Sequence, residues 1–371
     1  MPLKPLILSY FLPGFTDDKY NSKWWGKGFT EWNSIYNVKK LFENQSLPFV
    51  PLDGPYDLAD PTILSDTFQL AHSYGIDGFV VYDYWSRGER PLGKVSDILL
   101  EANITFPYYL CWANHDWTRS WKNRSGALDV LFKQEYESQF ANSARIAYLV
   151  RHFSSNNYIK HNDRPILQIY KPLDFPSFDL FKEELTSSCH RSGLKSPLFI
   201  ANLSSIQSSH KICSFFDYIV PSVPTLPLFG GSKTSSLFDP RHYHPLAKRF
   251  LYLISDTLPF KHRIYNYRDM YVTLYQQLSY LIRAHPSQVI SSVFSSFDNT
   301  PRYNKRAIIV DKADPSFFLS SLYQINKINP ESPFILINAW NEWGEGMAIE
   351  PSNLYGDLFL SSIKTFSLLF S

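Results

Sequence analysis

An α/β fold, a single (β/α)8 barrel, is what the order of segments along this chain predicts. Three observations carry the prediction. Short apolar runs bounded by turn residues alternate with longer segments of helical spacing from one end of the chain to the other. Eight such runs can be placed, which is the number a closed parallel barrel needs. Carboxylates, amides and indoles collect where the runs end, the face on which a barrel gathers its functional loops. A doubly wound open sheet is the competing arrangement of the same alternation.

The first strand is read at Leu6–Phe11, and a long loop through Trp24, Trp25, Glu31 and Trp32 follows it. Asp60 before Pro61 has the chemistry of a helix start, an acceptor side chain followed by a residue with no N–H to satisfy, and Gly75 closes that helix. Gly78–Trp85 reads as the second strand, Val95–Glu101 as a short helix, and Phe106–Asn114 as the third strand. Ser138–Phe153 has helical spacing, Arg164–Tyr170 is the fourth strand, and Phe178–Ser192 is a helix that stops before Gly193. Leu198–Asn202 and Asp217–Val223 give the fifth and sixth strands, and Val289–Phe297 the seventh. Asp314 and Pro315 start the next helix, Phe334–Trp340 is the eighth strand, and Tyr355–Phe370 reads as a closing helix. Residues 224–288 are long for a connection, so they are expected to form an insertion of extended loop plus helix capping the barrel mouth. The whole chain, 1–371, is otherwise one catalytic domain.

Composition narrows the class. A 44% hydrophobic, 17% aromatic chain supports a large core and is not a disordered one. Nine Trp and 24 Tyr suit a site that stacks flat-faced ligands such as sugars, although a well-packed core uses aromatics too. A net charge of +2 gives no reason to expect nucleic acid as a partner. No stretch has the roughly 20 apolar residues of a membrane span. The three cysteines, Cys111, Cys189 and Cys213, are too few and too scattered for a disulfide framework, and the N-terminal apolar run is short for a secretory leader. A cytoplasmic location is the expectation from both. The sequons, Asn103-Ile-Thr105 among them, carry little meaning there.

The chemistry concentrates at the end of the eighth run. Of twelve glutamates in the chain, Glu342, Glu345 and Glu350 lie within this one short segment, so the position is not accidental packing. In an extended chain Glu342 and Glu345 would stand about 10 Å apart, and a turn at Gly344 brings them closer. Two carboxyls in one apolar, Trp-lined cleft push each other's proton affinities apart, which supplies an acid and a base for glycoside hydrolysis. The other strand ends offer Asp83, Tyr84 and Trp85; Trp112, Asn114, Asp116 and Trp117; Tyr170; Asn202; Asp298 and Asn299. Each has a structural alternative: Asp83 can pair with a core arginine, and Asn202 can satisfy a turn. Competing chemistries lack their signatures. Gly26-Lys27-Gly28 is a lone Gly-x-Gly, no Gly-x-Ser-x-Gly elbow occurs, and His242 and His244 stand outside any zinc-site spacing. No Asp-x-Asp is present, so the metal signature of many nucleotide-sugar transferases is missing and no cofactor is expected.

With these residues in view, the chain resembles the WbsX-like family of polysaccharide-cluster proteins, which is related to glycoside hydrolase family 99. The matching blocks are Trp24–Trp32, Tyr74–Phe79 with Tyr82–Trp85, Cys111–Asn114 with Trp117, Phe297–Tyr303, and Asn338–Gly346 through Glu350 and Pro351. The resemblance implies a (β/α)8 domain whose paired glutamates end the eighth strand. By that analogy Glu342 deprotonates the sugar's own 2-hydroxyl and Glu345 acts as general acid, then base. The configuration would be retained through a 1,2-anhydro sugar, which favours α-manno or α-rhamno units. The expected protein is thus a retaining, metal-independent hydrolase of an O-antigen or capsule-type polysaccharide. Glu342 and Glu345 would be catalytic; Trp24, Trp25, Asp83, Trp85, Trp112, Asn114, Asp116, Tyr170, Asp298, Asn341 and Glu350 would shape the pocket. A glycosyltransferase of polysaccharide synthesis and a non-catalytic carbohydrate-binding protein are the alternatives.

Overall fold

The computed structural model describes residues 4–101, 105–118, 130–136, 139–229 and 263–370. Eight parallel strands form its centre: β1 (Leu6–Phe11), β2 (Gly78–Asp83), β3 (Tyr108–Trp112), β4 (Arg164–Ile169), β5 (Leu198–Leu203), β6 (Tyr218–Pro221), β7 (Ser291–Phe294) and β8 (Phe334–Asn338). They pair in the order β7-β8-β1-β2-β3-β4-β5-β6. The Ile219 N–H donates to the Gln288 carbonyl at 2.8 Å and the Ile290 N–H to the Ile219 carbonyl at 2.9 Å, which joins β6 to the segment entering β7 and closes the ring. Closure pairs each of these eight strands on both sides. Every residue of β3, β5, β7 and β8 is buried, as continuous apolar runs between a filled barrel interior and an outer helix layer must be.

A helix follows each strand: α1 (Pro61–Ser73), α2 (Lys94–Glu101), α3 (Gln139–Ser154), α4 (Phe178–Arg191), α5 (Ser209–Cys213), α6 (Tyr267–Ala284), α7 (Pro315–Ile328) and α8 (Leu358–Ser367). The expected starts of two of them are made as the sequence suggests. The Asp60 carboxylate accepts from the Thr62 N–H at 2.8 Å, and the Asp314 carboxylate from the Ser316 N–H at 2.9 Å. Among the described helices none is long and apolar enough to cross a membrane.

Three readings of the sequence need correction. The helical part of the expected insertion is barrel wall and not a cap. Tyr271 of α6 stacks on Phe294 of β7 at 4.9 Å and contacts Phe317 of α7 at 5.7 Å, so α6 is the ordinary helix between β6 and β7. The rest of that insertion, 230–262, with Gly230, Gly231, His242 and His244, lies outside the described residues, as does most of the Asn103 sequon. The seventh run breaks after Phe294, and Phe297–Asp298 instead joins a small sheet with Ile309–Asp311 and Ile264–Asn266. The eighth run stops at Asn338, and Asn341–Glu342 pairs antiparallel with Met347–Ala348 in a hairpin above the barrel rim.

Within the barrel, β2 enters at Gly78, where an added Cβ would lie 2.7 Å from the Pro107 carbonyl oxygen and 2.8 Å from Ile159 Cδ1. Backbone cannot yield as a flexible side chain can. Gly78→Ala should therefore lower unfolding stability by about 1–3 kcal/mol, measured by denaturant titration.

Candidate active site

The turn that follows β8 brings the two glutamates of interest together. Trp343–Glu345 forms one 3-10 turn with Glu342 at its N-cap and Gly346 in the left-handed region at φ 61°. In such a turn residues three apart eclipse, so the carboxyls of Glu342 and Glu345 share a side instead of diverging as they would in a strand. Gly346 has no alternative. Its φ suits glycine, and a Cβ there would lie 2.7 Å from both backbone N and O of Asp298.

Both carboxyls meet one cation. Arg302, on the short helix Thr300–Tyr303, donates from Nη1 to Glu345 Oε1 at 2.6 Å and from Nη2 to Glu342 Oε2 at 3.1 Å. Nη2 also donates to both oxygens of Glu31, at 2.8 and 2.9 Å. The side chains of Arg302, Glu31 and Glu342 are only 11%, 12% and 10% exposed, whereas Glu345 is 29% exposed and faces outward. Burial raises the proton affinity of Glu342 to about 8; the Arg302 charge opposes this, and the Glu345 and Glu31 charges add to it.

Tyr84 and Tyr170 flank this cluster. Burial raises both phenols, and the charge of Glu342 acts on each, with Glu345 acting more strongly on Tyr170. His115 lies 5.4 Å from the Tyr170 ring and 6.2 Å from Tyr84, and burial with the nearby Lys171 charge lowers its pKa to about 4. At neutral pH it is an uncharged imidazole. Trp117 packs edge-on to Tyr84 at 5.0 Å. The result is a carboxyl cluster walled by phenols, an imidazole and an indole. Such a site can accept bonds from sugar hydroxyls and can move protons at them.

The remaining residues anticipated from the sequence hold the frame. Asp83 is corrected from ligand contact to wall: its carboxylate pairs with Arg145 of α3, each 1% exposed, and accepts from the Tyr148 hydroxyl at 2.9 Å. Trp112 and Trp85 are likewise spent on that cation, whose guanidinium lies 4.8 and 5.1 Å from their rings. Asn341 is fully buried and ties the post-β8 loop to β1, accepting from the Leu12 N–H at 2.8 Å and donating to the Leu12 carbonyl at 3.0 Å. Asn114 does the same for β3 and β4, donating to the Lys171 carbonyl at 2.9 Å and accepting from its N–H at 2.7 Å. Asp116 is exposed and accepts from the Gln134 N–H at 2.6 Å. Asp298 accepts from Gln45 at 2.7 Å and caps Thr300, which positions the Arg302 helix. Trp24 and Trp25 are half-buried at the end of the short helix Lys19–Trp25 between β1 and α1, the first donating to the Leu131 carbonyl at 3.1 Å and the second against Phe29.

Two residues of the cluster, Glu31 and Arg302, escape a reading confined to strand ends. Each sits on a short helical turn between strands, Glu31 at the N-cap of Trp32–Tyr36 after β1 and Arg302 on Thr300–Tyr303 after β7. Both fall inside blocks with unusual aromatic content, Trp24–Trp32 and Phe297–Tyr303, and that was the signal available.

Glu350 belongs to the support. Its Oε2 accepts from the Tyr56 hydroxyl at 2.7 Å and from the Trp343 indole at 3.2 Å, and burial raises its pKa to about 7. The folded chain therefore keeps this proton where the unfolded chain releases it. Its contribution is fully present below the ordinary carboxyl range, falls as pH rises and is lost above about 7. Glu350→Gln should relieve a loss of order 3 kcal/mol. Thermal unfolding should show the variant gaining on the parent between pH 5 and pH 8, with little difference at pH 4.

Comparison with known proteins agrees with this architecture. Two curated relatives, each named "Uncharacterized protein WxcX" and from two strains of Xanthomonas campestris pv. campestris, are 27% identical over 369 residues. That match takes in 98% of this chain and 49% of theirs, so the chain spans about half the length of the curated relatives it matches. A solved "Glycoside hydrolase-like protein" superposes with a TM-score of 0.61 at 14% identity, covering 99% of this chain and 95% of its own. The GH99 endo-alpha-mannosidase from Bacteroides thetaiotaomicron gives 0.56 at 12% identity, covering 99% and 98%. At such identities these likenesses concern the barrel fold. The family model described as "Glycosyltransferase WbsX" matches residues 7–363, nearly the whole length, and the chain belongs to that family.

Proposed function

We propose that this protein is a retaining glycoside hydrolase acting on an α-manno- or α-rhamno-configured polysaccharide of O-antigen or capsule type, without a metal ion. The observation that carries the reading is the convergence of Glu342 and Glu345 on one side of a single turn, bridged by Arg302. The barrel likeness to an endo-alpha-mannosidase supports the choice of sugar configuration. The sparse, unpaired Cys111, Cys189 and Cys213 fit work in a reducing compartment.

In this mechanism Glu342, the deeper of the two, takes the proton of the sugar's 2-hydroxyl. O2 attacks the anomeric carbon, the glycosidic C–O bond breaks, and the leaving oxygen takes a proton from Glu345 at the more open edge. Water then opens the 1,2-anhydro sugar. Glu345 accepts the water's proton and Glu342 returns its own to O2, so both carboxyls end as they began. A carboxyl with raised proton affinity is a stronger base once ionised, which is what abstraction from a hydroxyl asks of Glu342. Tyr170, Tyr84 and His115 would hold the remaining hydroxyls, with Trp24, Trp25 and Asp116 placed further out along the loops.

The family's description favours a second reading, transfer of a sugar from a nucleotide donor. Incubation with purified α-mannan and α-rhamnan, with no nucleotide present, separates the two. Hydrolysis yields new reducing ends; a transferase yields none and releases nucleotide from a sugar-nucleotide instead. Glu342→Gln and Glu345→Gln should each lose about 10²–10⁴-fold in kcat with glycan binding retained. With Glu342 as base, kcat/KM should rise with pH through a midpoint near about 8. A fall through the same midpoint would exchange the roles of the two glutamates.

A further inference from the structure

We propose that Glu31 is a positioning residue of this site, acting through Arg302: it holds the guanidinium in the one place from which a single fork reaches both Glu342 and Glu345. The assignment rests on the glycosidase reading for its catalytic consequence, but its geometry stands apart from that reading.

Four observations point to it. Glu31 occupies Nη2 of Arg302 with both carboxylate oxygens, at 2.8 and 2.9 Å, while the contact of that nitrogen with Glu342 is the longer one at 3.1 Å. Glu31 is therefore the principal partner of Nη2, while Nη1 is held by Glu345 at 2.6 Å. Its own backbone is fixed by the next residue: the Trp32 indole donates to the Tyr56 carbonyl at 2.8 Å and its ring lies 4.2 Å from Phe15. Gly344, the peptide between the two reactive carboxyls, is shaped for the pair. A Cβ there would stand 2.5 Å from Glu31 Oε2 and 2.8 Å from Arg302 Nε, so the ion pair lies flush on the turn that carries Glu342 and Glu345. Finally, all three partners of this anchor are at least seven-eighths enclosed, so solvent does not dissipate their charges.

The charge arithmetic gives the pair a task. One guanidinium faces three carboxyls, and Tyr82, Tyr84, Tyr170, His115 and, next to that imidazole, Lys171 are titratable groups around them. A third acid that draws on the cation prevents it from neutralising Glu342 and Glu345 equally. It also leaves Arg302 with a fixed partner when a sugar takes over the oxygens of the other two. Without Glu31 more of the guanidinium charge would fall on Glu342 and Glu345.

The test is a pH titration of the protein carrying ¹³C-labelled glutamate side chains, followed by NMR with no substrate present. In Glu31→Gln, removal of a like charge and release of Arg302 should lower the Glu342 midpoint by about one pH unit or more. In Arg302→Lys, where a point charge replaces the fork, that midpoint should rise. On α-mannan or α-rhamnan, Glu31→Gln should lose about tenfold or more in kcat with KM little changed, and its kcat/KM profile should shift to lower pH by the same interval. Gly344→Ala should reproduce the kcat loss with Glu31 intact. Unchanged Glu342 and Glu345 midpoints in a Glu31→Gln protein that unfolds at the parent temperature would overturn the proposal. Should Glu31→Gln fail to fold, an unshifted Glu342 midpoint in Arg302→Lys would overturn it equally. A shifted midpoint with no cleavage of either glycan by the parent would retain the anchor and reject the glycosidase reading.

Discussion

Three carboxyls gathered around a single guanidinium, Glu31 and Glu342 enclosed and Glu345 partly open, are the constraint on which the rest of this structure turns. Burying one ionised carboxylate is costly, and burying two beside a third is tolerable only when a cation satisfies them with good geometry. Arg302 does so with a fork that a lysine could not offer, since two of its nitrogens bond three different side chains. The cluster is assembled from distant parts of the chain: Glu31 after β1, Arg302 after β7, Glu342 and Glu345 after β8. Only a closed barrel sets those three strands side by side, with β8 between β7 and β1.

Much of the surrounding polar inventory serves to keep that arrangement still. Asn341 locks the β8 loop onto β1, Asn114 locks β3 to β4, and Asp298 fixes the start of the Arg302 helix. Trp343 sits between Glu342 and Glu345 in sequence, and its side chain enters a pocket made by Tyr56, Phe49 and Glu350. Its burial is what stops the 3-10 turn from rolling. At the end of β2, one strand beyond β1, a second buried ion pair, Asp83 with Arg145, is enclosed by Trp85, Trp112 and Tyr148. The barrel thus holds two enclosed charge clusters of different kinds. In one the aromatic rings cover the cation; in the other the anions outnumber it, and Glu345 remains reachable.

At the strand tips residue type and actual contact part company. Asp83, Trp85, Trp112 and Asn341 all have residue types suited to sugar binding, and all four are consumed in packing. A tip residue in a barrel can point inward, outward or along the rim, and the direction depends on where the strand stops and how the loop leaves. The β2 run ends at Asp83, and the carboxylate there accepts from Tyr148 of α3 instead of facing the cleft. Tyr170 and the Glu342/Glu345 pair, by contrast, stand together, with the charges of both glutamates acting on the Tyr170 phenol.

From the amino-acid order alone came the eight apolar runs, their alternation with helices, most helix boundaries and the segment that carries the acid pair. These are local properties: hydrophobic period, capping residues and turn glycines act over a few neighbours and leave their mark in order along the chain. The tertiary structure alone decided which polar tips face the cleft, that α6 is wall, and that Glu31 and Arg302 join Glu342 and Glu345. Those outcomes depend on contacts between residues up to about three hundred positions apart, such as Glu31 with Arg302 at a separation of 271. No local pattern records such a contact, because the barrel's closure brings it about.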